Sequence, residues 1–519
     1  LRSPRETFSV ALSPYAPLLL TRLCVKSSAR NLFGKLNPIR TGLLIDQTHA
    51  MRRSFLPVIF GCYVMMLTFS AMAQEPVIQN KYFSIGSYGR VGVGWAPDVT
   101  GRVGRSLNLK GMGAIGGRLE QGDYFELGTA FHFFPGTANK DTSTLDAQIR
   151  FGFFPTQGQL IGNSTSKSYG SITTTIPELY VEAKKIAGSN WSAWIGARYF
   201  RGGDIHIIDY FHFDDHSSQG VGVKYKNTQF SVMLPGAVDS NSSVPPYFYL
   251  NIRDSTPVLG LRGRQVYIIE QQLSNKYGQF KLMGEFHKLN DASKNDTANY
   301  NYPADLGFVL GVKHQIELKK LLAGSFQQLT IRYGYGIANG GDGGGSRTFL
   351  TYGAPNISTQ KFKKASSLAL TEHFLANFNR DYSLNAYAIY THSKGAADSS
   401  NKAPDFMGRM VFNRKTDIAV GFRGTWYITN WFHLMHEANY AARKDGTQPY
   451  ATMFKLGIIP TIVPFAKRDV WSRPQLRFIY EIAFYNKFAS DNLYSDYLQQ
   501  SGSKSFGQYI GFGAEWWLW

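Results

Sequence analysis

Residues 509–519, YIGFGAEWWLW, alternate strictly between two faces. Ile510, Phe512, Ala514, Trp516 and Leu518 fall on one side and are all apolar. Gly511, Gly513, Glu515, Trp517 and Trp519 fall on the other. Successive side chains of a strand point to opposite faces, so this stretch sets hydrocarbon against a carboxylate among glycines and tryptophans. That is the surface needed at the closing seam of a transmembrane barrel, which has lipid outside and water inside.

The same alternation recurs along the chain. Phe83, Ile85, Val91, Val93 and Trp95 face one way, and Tyr88 and Arg90 the other. Phe125, Leu127, Phe131 and Phe133 oppose Tyr124, Glu126 and His132; Leu145, Ala147, Ile149 and Phe151 oppose Asp146, Gln148 and Arg150. Near the C-terminus Leu476, Phe478, Tyr480, Ile482 and Phe484 oppose Gln475, Arg477 and Glu481. Roughly sixteen to twenty such segments predict an all-β chain, a large water-filled antiparallel barrel. A soluble β-sandwich has the same period with its apolar face turned inward, so the period alone does not choose between them.

A signal peptide, missing cysteines and the aromatic terminus favour the membrane. Residues 51–73 open with Met51, Arg52 and Arg53, continue through an apolar run from Phe55 to Phe69, and end in Ala71-Met72-Ala73. This is the form of a signal peptide and predicts cleavage before Gln74. Residues 1–50 match neither a domain nor a targeting signal and are read as upstream sequence, leaving 74–519 as one barrel domain. Both cysteines, Cys24 and Cys62, precede Gln74, so the exported part has no disulfide, thiolate zinc site or cysteine nucleophile. Residues 1–73 also contribute +7 of the net +19, and the remainder keeps a mild basic excess of about +12. The exported part has no apolar run of eighteen residues and no sustained helical period.

Tight connections at Gly188-Ser189-Asn190 and Lys226-Asn227-Thr228 suit periplasmic turns, and long polar ones at 290–303 and 339–367 suit extracellular loops. The GGDGGG run at 340–345 lacks a following Lys-Ser/Thr and reads as a flexible loop rather than a phosphate cradle. The densest chemistry is RYFRGGDIHIIDYFHFDDH, residues 198–216. It is too polar to face lipid and unusually aromatic for an exposed loop, and the favoured reading folds it into the lumen as a constriction. Two others stay open: a metal site built from Asp204, His206, Asp209, His212 and Asp214 or His216, or an exposed acidic loop.

Taken together, SYGRVGVGW, RLEQGDYFEL, PELYVEA, WSAWIGARYFRGGDIHIID, VWSRPQLR and GAEWWLW resemble, in order and across almost the whole exported part, the maltoporin-type, sugar-specific porins. The resemblance implies an eighteen-stranded barrel in the outer membrane, a homotrimer, an inward-folded third loop, and passive diffusion of maltose, maltodextrins or related oligosaccharides. It implies no cofactor, no metal, no catalysis and no nucleic-acid partner. It makes Tyr88, Tyr124, Trp471 and Trp517 members of an aromatic slide. Arg90, Arg118, Glu126, Asp204 and Asp209 become members of a polar track, and Phe211 stands at a track position where the family has tyrosine. Other departures are Gly202 in place of an arginine, with Arg201 beside it; Leu310 near a slide phenylalanine; Pro177 at a track arginine; and no counterpart in 161–176 to a tryptophan lent by a neighbouring subunit.

A pyranose has apolar faces and a belt of hydroxyls, so aromatic rings beside paired carboxylates and arginines suit its passage. The runner-up functions are a general or anion-selective porin, suggested by the basic charge but opposed by the acidic loop, and an outer-membrane hydrolase, for which no nucleophile motif stands out. A receptor with a plug domain has no room, because alternation begins within about ten residues of Gln74.

Overall fold

The computed structural model describes residues 78–99, 107–134, 142–155, 172–199, 201, 203–234, 246–250, 257–261, 264–290, 303–340, 351–406 and 408–518. The expected signal peptide, the segment before it, the stretch 161–171 and Gly202 lie outside these residues.

Eighteen strands form the wall. They are β1 (Phe83–Trp95), β2 (Tyr124–Phe133), β3 (Thr144–Pro155), β4 (Ile172–Lys184), β5 (Trp191–Arg198) and β6 (Ser218–Tyr225); then β7 (Thr228–Met233), β8 (Arg264–Asn275), β9 (Gly278–Leu289), β10 (Asp305–Glu317), β11 (Phe326–Gly336) and β12 (Ser366–Asn377); and finally β13 (Tyr382–Lys394), β14 (Arg414–Tyr427), β15 (Phe432–Asp445), β16 (Ala451–Ile462), β17 (Gln475–Tyr485) and β18 (Phe506–Leu518). Each pairs antiparallel with the next, and β18 pairs with β1 from Leu518 opposite Ser87 to Ile510 opposite Trp95. The sheet is therefore a closed ring, the one sheet topology that leaves no unpaired edge to hydrocarbon. Below the last residue of β18, the edge of β1 is covered by Ile78 and Gln79, which pair with Ile85 and Ser84.

The faces have the expected sidedness. Val93, Phe131, Ile195 and Phe512 are more than half exposed on the outside. Glu126, Gln475, Glu481 and Glu515, on the opposite faces of their strands, are buried. Pro177, which cannot donate to the ladder, sits where β4 slips register against β3, between the Arg150–Glu178 and Gly152–Thr175 pairs. A bulge is where a strand tolerates proline.

Connections at one end are short, as at Lys226-Asn227, which joins the paired residues Tyr225 and Thr228. At the other end they are long, and two of them turn into the barrel. Segment 107–123 and segment 203–217 pack into one apolar core with inward side chains of the wall, among them Tyr387, Met435 and Tyr485, and with Tyr497 and Leu498 of the connection before β18. Leu107, Leu109, Met112 and Ile115 there meet Ile205, Ile207, Ile208 and Tyr210. Gly117, at φ 115°, allows the first segment to reach β16, since a side chain there would strike the Lys455 ammonium stem. The long connection after β11 is less open than its composition suggests: Ile337, Phe362 and Ala365 bury together with Leu289 and Ala396. Five residues of its glycine run, 341–345, lie outside the described residues.

Two predictions follow from this wall. Phe512→Arg puts a guanidinium on the lipid face and costs up to about 2–4 kcal/mol, read as a lower urea midpoint for refolding into vesicles. Glu515→Gln removes a buried carboxylate shared by three arginines and costs about 3–5 kcal/mol in the same assay; an unchanged midpoint would show that the arginines do not depend on it.

Candidate functional site

The inward half of β1 begins the site. Tyr88 lies opposite Trp517 of β18 on one side and opposite Glu126 of β2 on the other. Its ring is 5.8 Å from that of Tyr124, and the Trp517 ring is 6.2 Å from that of Trp471. Tyr124, Tyr88, Trp517 and Trp471 thus form a file along the inner wall. The connection between β16 and β17 supplies its end, where the Arg473 guanidinium stacks 3.8 Å over Trp517.

Ionic groups flank the file. Arg90 donates from Nε to the Gly122 carbonyl at 3.0 Å and from Nη1 to the Tyr88 hydroxyl at 3.1 Å, and lies 5.1 Å over the Tyr124 ring. Asp209 approaches Arg90 at 4.0 Å and accepts from Gln121 at 3.5 Å. Its backbone is left-handed, φ 49°, a conformation aspartate tolerates better than most residues and one that recurs where a side chain must be presented at a site.

Glu515 gathers the largest cluster. It pairs with Arg118 and Arg477, accepts from Arg473 Nε at 2.9 Å and from the Tyr88 hydroxyl at 3.2 Å, and lies 3.2 Å from His206. His206 stands edge-on to Trp517, with ring centroids 4.7 Å apart, and touches Arg118 at 2.6 Å. Burial works against charge on Arg118, yet Glu515, together with Tyr88, Asp209 and Asp204, outweighs it and holds the guanidinium more basic than usual. Beyond Tyr124 the wall continues in Glu126, which pairs with Tyr124 and accepts from Arg150 at 2.8 Å; Arg150 also reaches Glu178 at 2.6 Å.

The inward loop is anchored by its acids and histidines. Asp214 accepts from Lys281 at 2.6 Å, and His216 meets Glu285 at 3.0 Å. His212 lies 3.3 Å from Thr330 and is buried; burial first, and Lys313 second, keep it well below the usual imidazole range and neutral. Of the candidate metal ligands, Asp204 and His206 lie together while His212, Asp214 and His216 engage other strands, and among the described residues no three His, Cys, Asp or Glu side chains are disposed to hold an ion.

Of the residues singled out in the sequence, the structure brings Tyr88, Tyr124, Trp471, Trp517, Arg90 and Asp209 to one path. Arg118 is beside that path but buried and committed to Glu515 and His206. Asp204 pairs by backbone with Phe211 and sits 3.4 Å from His206; Phe211 lies under Arg201, 4.1 Å from ring to guanidinium. Leu310 is on the exposed outer face, in line with Phe308 and Val312, and takes no part. Sequence reasoning passed over Glu515, Arg473, Arg477 and Arg150 as site residues. Three of them lie on polar faces already identified, so alternation placed them in the lumen without showing that they converge.

A family model described as LamB porin matches residues 83–518. Among curated proteins the chain is 28% identical over 181 residues to the maltoporin of Vibrio cholerae; that match takes in 34% of this chain and only 38% of the relative's own length. Among solved structures it is similar to the outer membrane channel DcaP of Acinetobacter baumannii, at 11% identity and a TM-score of 0.43, covering 85% of this chain and 99% of that one. It is also similar to an anion-selective porin from Comamonas acidovorans, at 10% identity and a TM-score of 0.38, covering 84% and 100%. The family match runs from the first strand of the closed ring to the last, and the chain belongs to the LamB porin family.

Proposed function

We propose that this protein is an outer-membrane channel through which maltose, maltodextrins or related oligosaccharides diffuse passively. The observation that carries this reading is the file Tyr124, Tyr88, Trp517 and Trp471, flanked by Arg90 and Asp209. Within the Tyr124–Tyr88 and Trp517–Trp471 pairs the rings are about 6 Å apart, so an apolar sugar face can pass from one to the other, and the strand register sets the two pairs side by side. Hydroxyls at the sugar's edge exchange donors and acceptors with the arginine and the aspartate as they move. Several weak sites in line favour flux, because a solute held at one tight site would block the pore. Affinity on the order of 4–7 kcal/mol, millimolar to tens of micromolar, suits that task. A homotrimer is part of the proposal, and catalysis is not.

In planar bilayers, maltooligosaccharides are expected to reduce the ion current saturably and to do so better than glucose; indifference to every sugar tried would favour a general porin. Tyr124→Ala and Trp517→Ala each remove one ring, worth about 1 kcal/mol, and are expected to raise the half-blocking concentration about fivefold with single-channel conductance retained. Unchanged block in both variants would show that the rings do not carry the sugar.

A further inference from the structure

The lumen's ion pairs are arranged unevenly: across several of them the cation is the more exposed partner. The Arg201 side chain is 24% exposed and its carboxylate neighbour Asp215 only 7%. Arg150 is 15% exposed, against 9% for Glu126 and 4% for Glu178. The same order holds for Arg198 over Glu182, Lys184 over Asp146 and Lys281 over Asp214. The acidic inward loop, which on composition alone opposes anions, turns two of its four aspartates away: Asp214 and Asp215 are buried, while Asp204 and Asp209, the latter beside Arg90, are partly exposed. A solute in the tunnel therefore meets guanidinium and ammonium groups before the carboxylates behind them, and water-filled passages lined this way favour negative charge.

Three of these arginines also form a local structure. The Arg201 guanidinium is sandwiched between Tyr199 at 3.9 Å and Phe211 at 4.1 Å. Arg150 lies 5.4 Å from the Tyr199 ring, and Arg198 lies 4.9 Å from that of Tyr180. Tyr199 lies close to Tyr124, the first ring of the aromatic file. A guanidinium with both faces stacked has its planar N–H edge fixed for hydrogen bonding, and that edge matches a carboxylate bidentately. Phe211 contributes ring surface here without a hydroxyl to compete for the arginine's donors.

We propose that the oligosaccharide carried by this channel is acidic, bearing carboxylate groups of the uronate kind, and that Arg198 and Arg201, supported by Arg150, read those groups beside the aromatic file. The inference rests on the saccharide reading above and narrows it to a substrate class. The test compares oligogalacturonate with its methyl ester, the same chain without charge, as blockers of the full-length channel in bilayers at about 0.1 M salt, where exposed charges still act over about 10 Å. Reversal potential in a salt gradient is read on the same channels. The expected result is anion selectivity, with the acid blocking at about tenfold lower concentration than the ester. In Arg198→Gln/Arg201→Gln that ratio falls toward one, and heat-modifiable migration on a denaturing gel reports that the double variant has folded. Equal block by acid and ester, or a cation-selective channel, would overturn the acidic-substrate inference and leave the saccharide reading standing. A preference for acid that survives the double substitution would overturn the assignment to these arginines. No block by either form, nor by neutral maltooligosaccharides, would overturn both readings.

Discussion

The pairing of β18 with β1 closes the ring, and the rest of the molecule depends on that closure. An open sheet of this size would expose two rows of backbone N–H and C=O groups to hydrocarbon, each costing several kcal/mol. Closure also fixes chemistry at the seam. The register that sets Arg90 opposite Glu515 and Tyr88 opposite Trp517 is the same register that completes the wall. A slip of one residue would turn Glu515 into lipid and Phe512 into the tunnel. The seam and the candidate site are consequently one feature, and the buried cluster of Glu515 with Arg118, Arg473 and Arg477 ties the inward segment, the β16–β17 connection and the last strand together.

Once the wall is closed with its apolar side outward, everything polar must be accommodated inside. Some of it lines the water-filled path, and some is buried under segments 107–123 and 203–217, which bring a small apolar core with them. Lys455 illustrates the second case: it is fully buried and held by Glu120 at 2.7 Å, with Glu481 at 3.6 Å. A pair so enclosed adds little net stability compared with apolar packing, but breaking it is costly, so it favours one seating of the inward segment over others.

Alternation in the sequence was enough to read the strands, their sidedness and the luminal position of Tyr88, Arg90, Tyr124 and Glu126, because a period of two is a local property. The exact strand number needed the resemblance. The meeting of Trp471 with Trp517, of Arg118 with Glu515, and of His206 with Glu515 and Trp517 joins residues up to 397 positions apart, and no local pattern encodes that. Charge was the most misleading signal. The aspartates of the inward loop read from composition as an acidic constriction, whereas their partners Lys281 and Arg201 stand nearer the water. Leu310, noted as a departure near a family slide position, stands on the exposed outer face of β10.

The sidedness of the wall can be measured directly with single cysteines introduced into a background lacking Cys24 and Cys62. Lys184 on the inner face and Ile195 on the outer face are both well exposed, but to different solvents. In intact outer-membrane vesicles a membrane-impermeant maleimide is predicted to modify Lys184→Cys and leave Ile195→Cys untouched, while a lipid-dissolved quencher reaches only a label at 195. Equal modification of the two by the aqueous reagent, or quenching confined to position 184, would contradict the account.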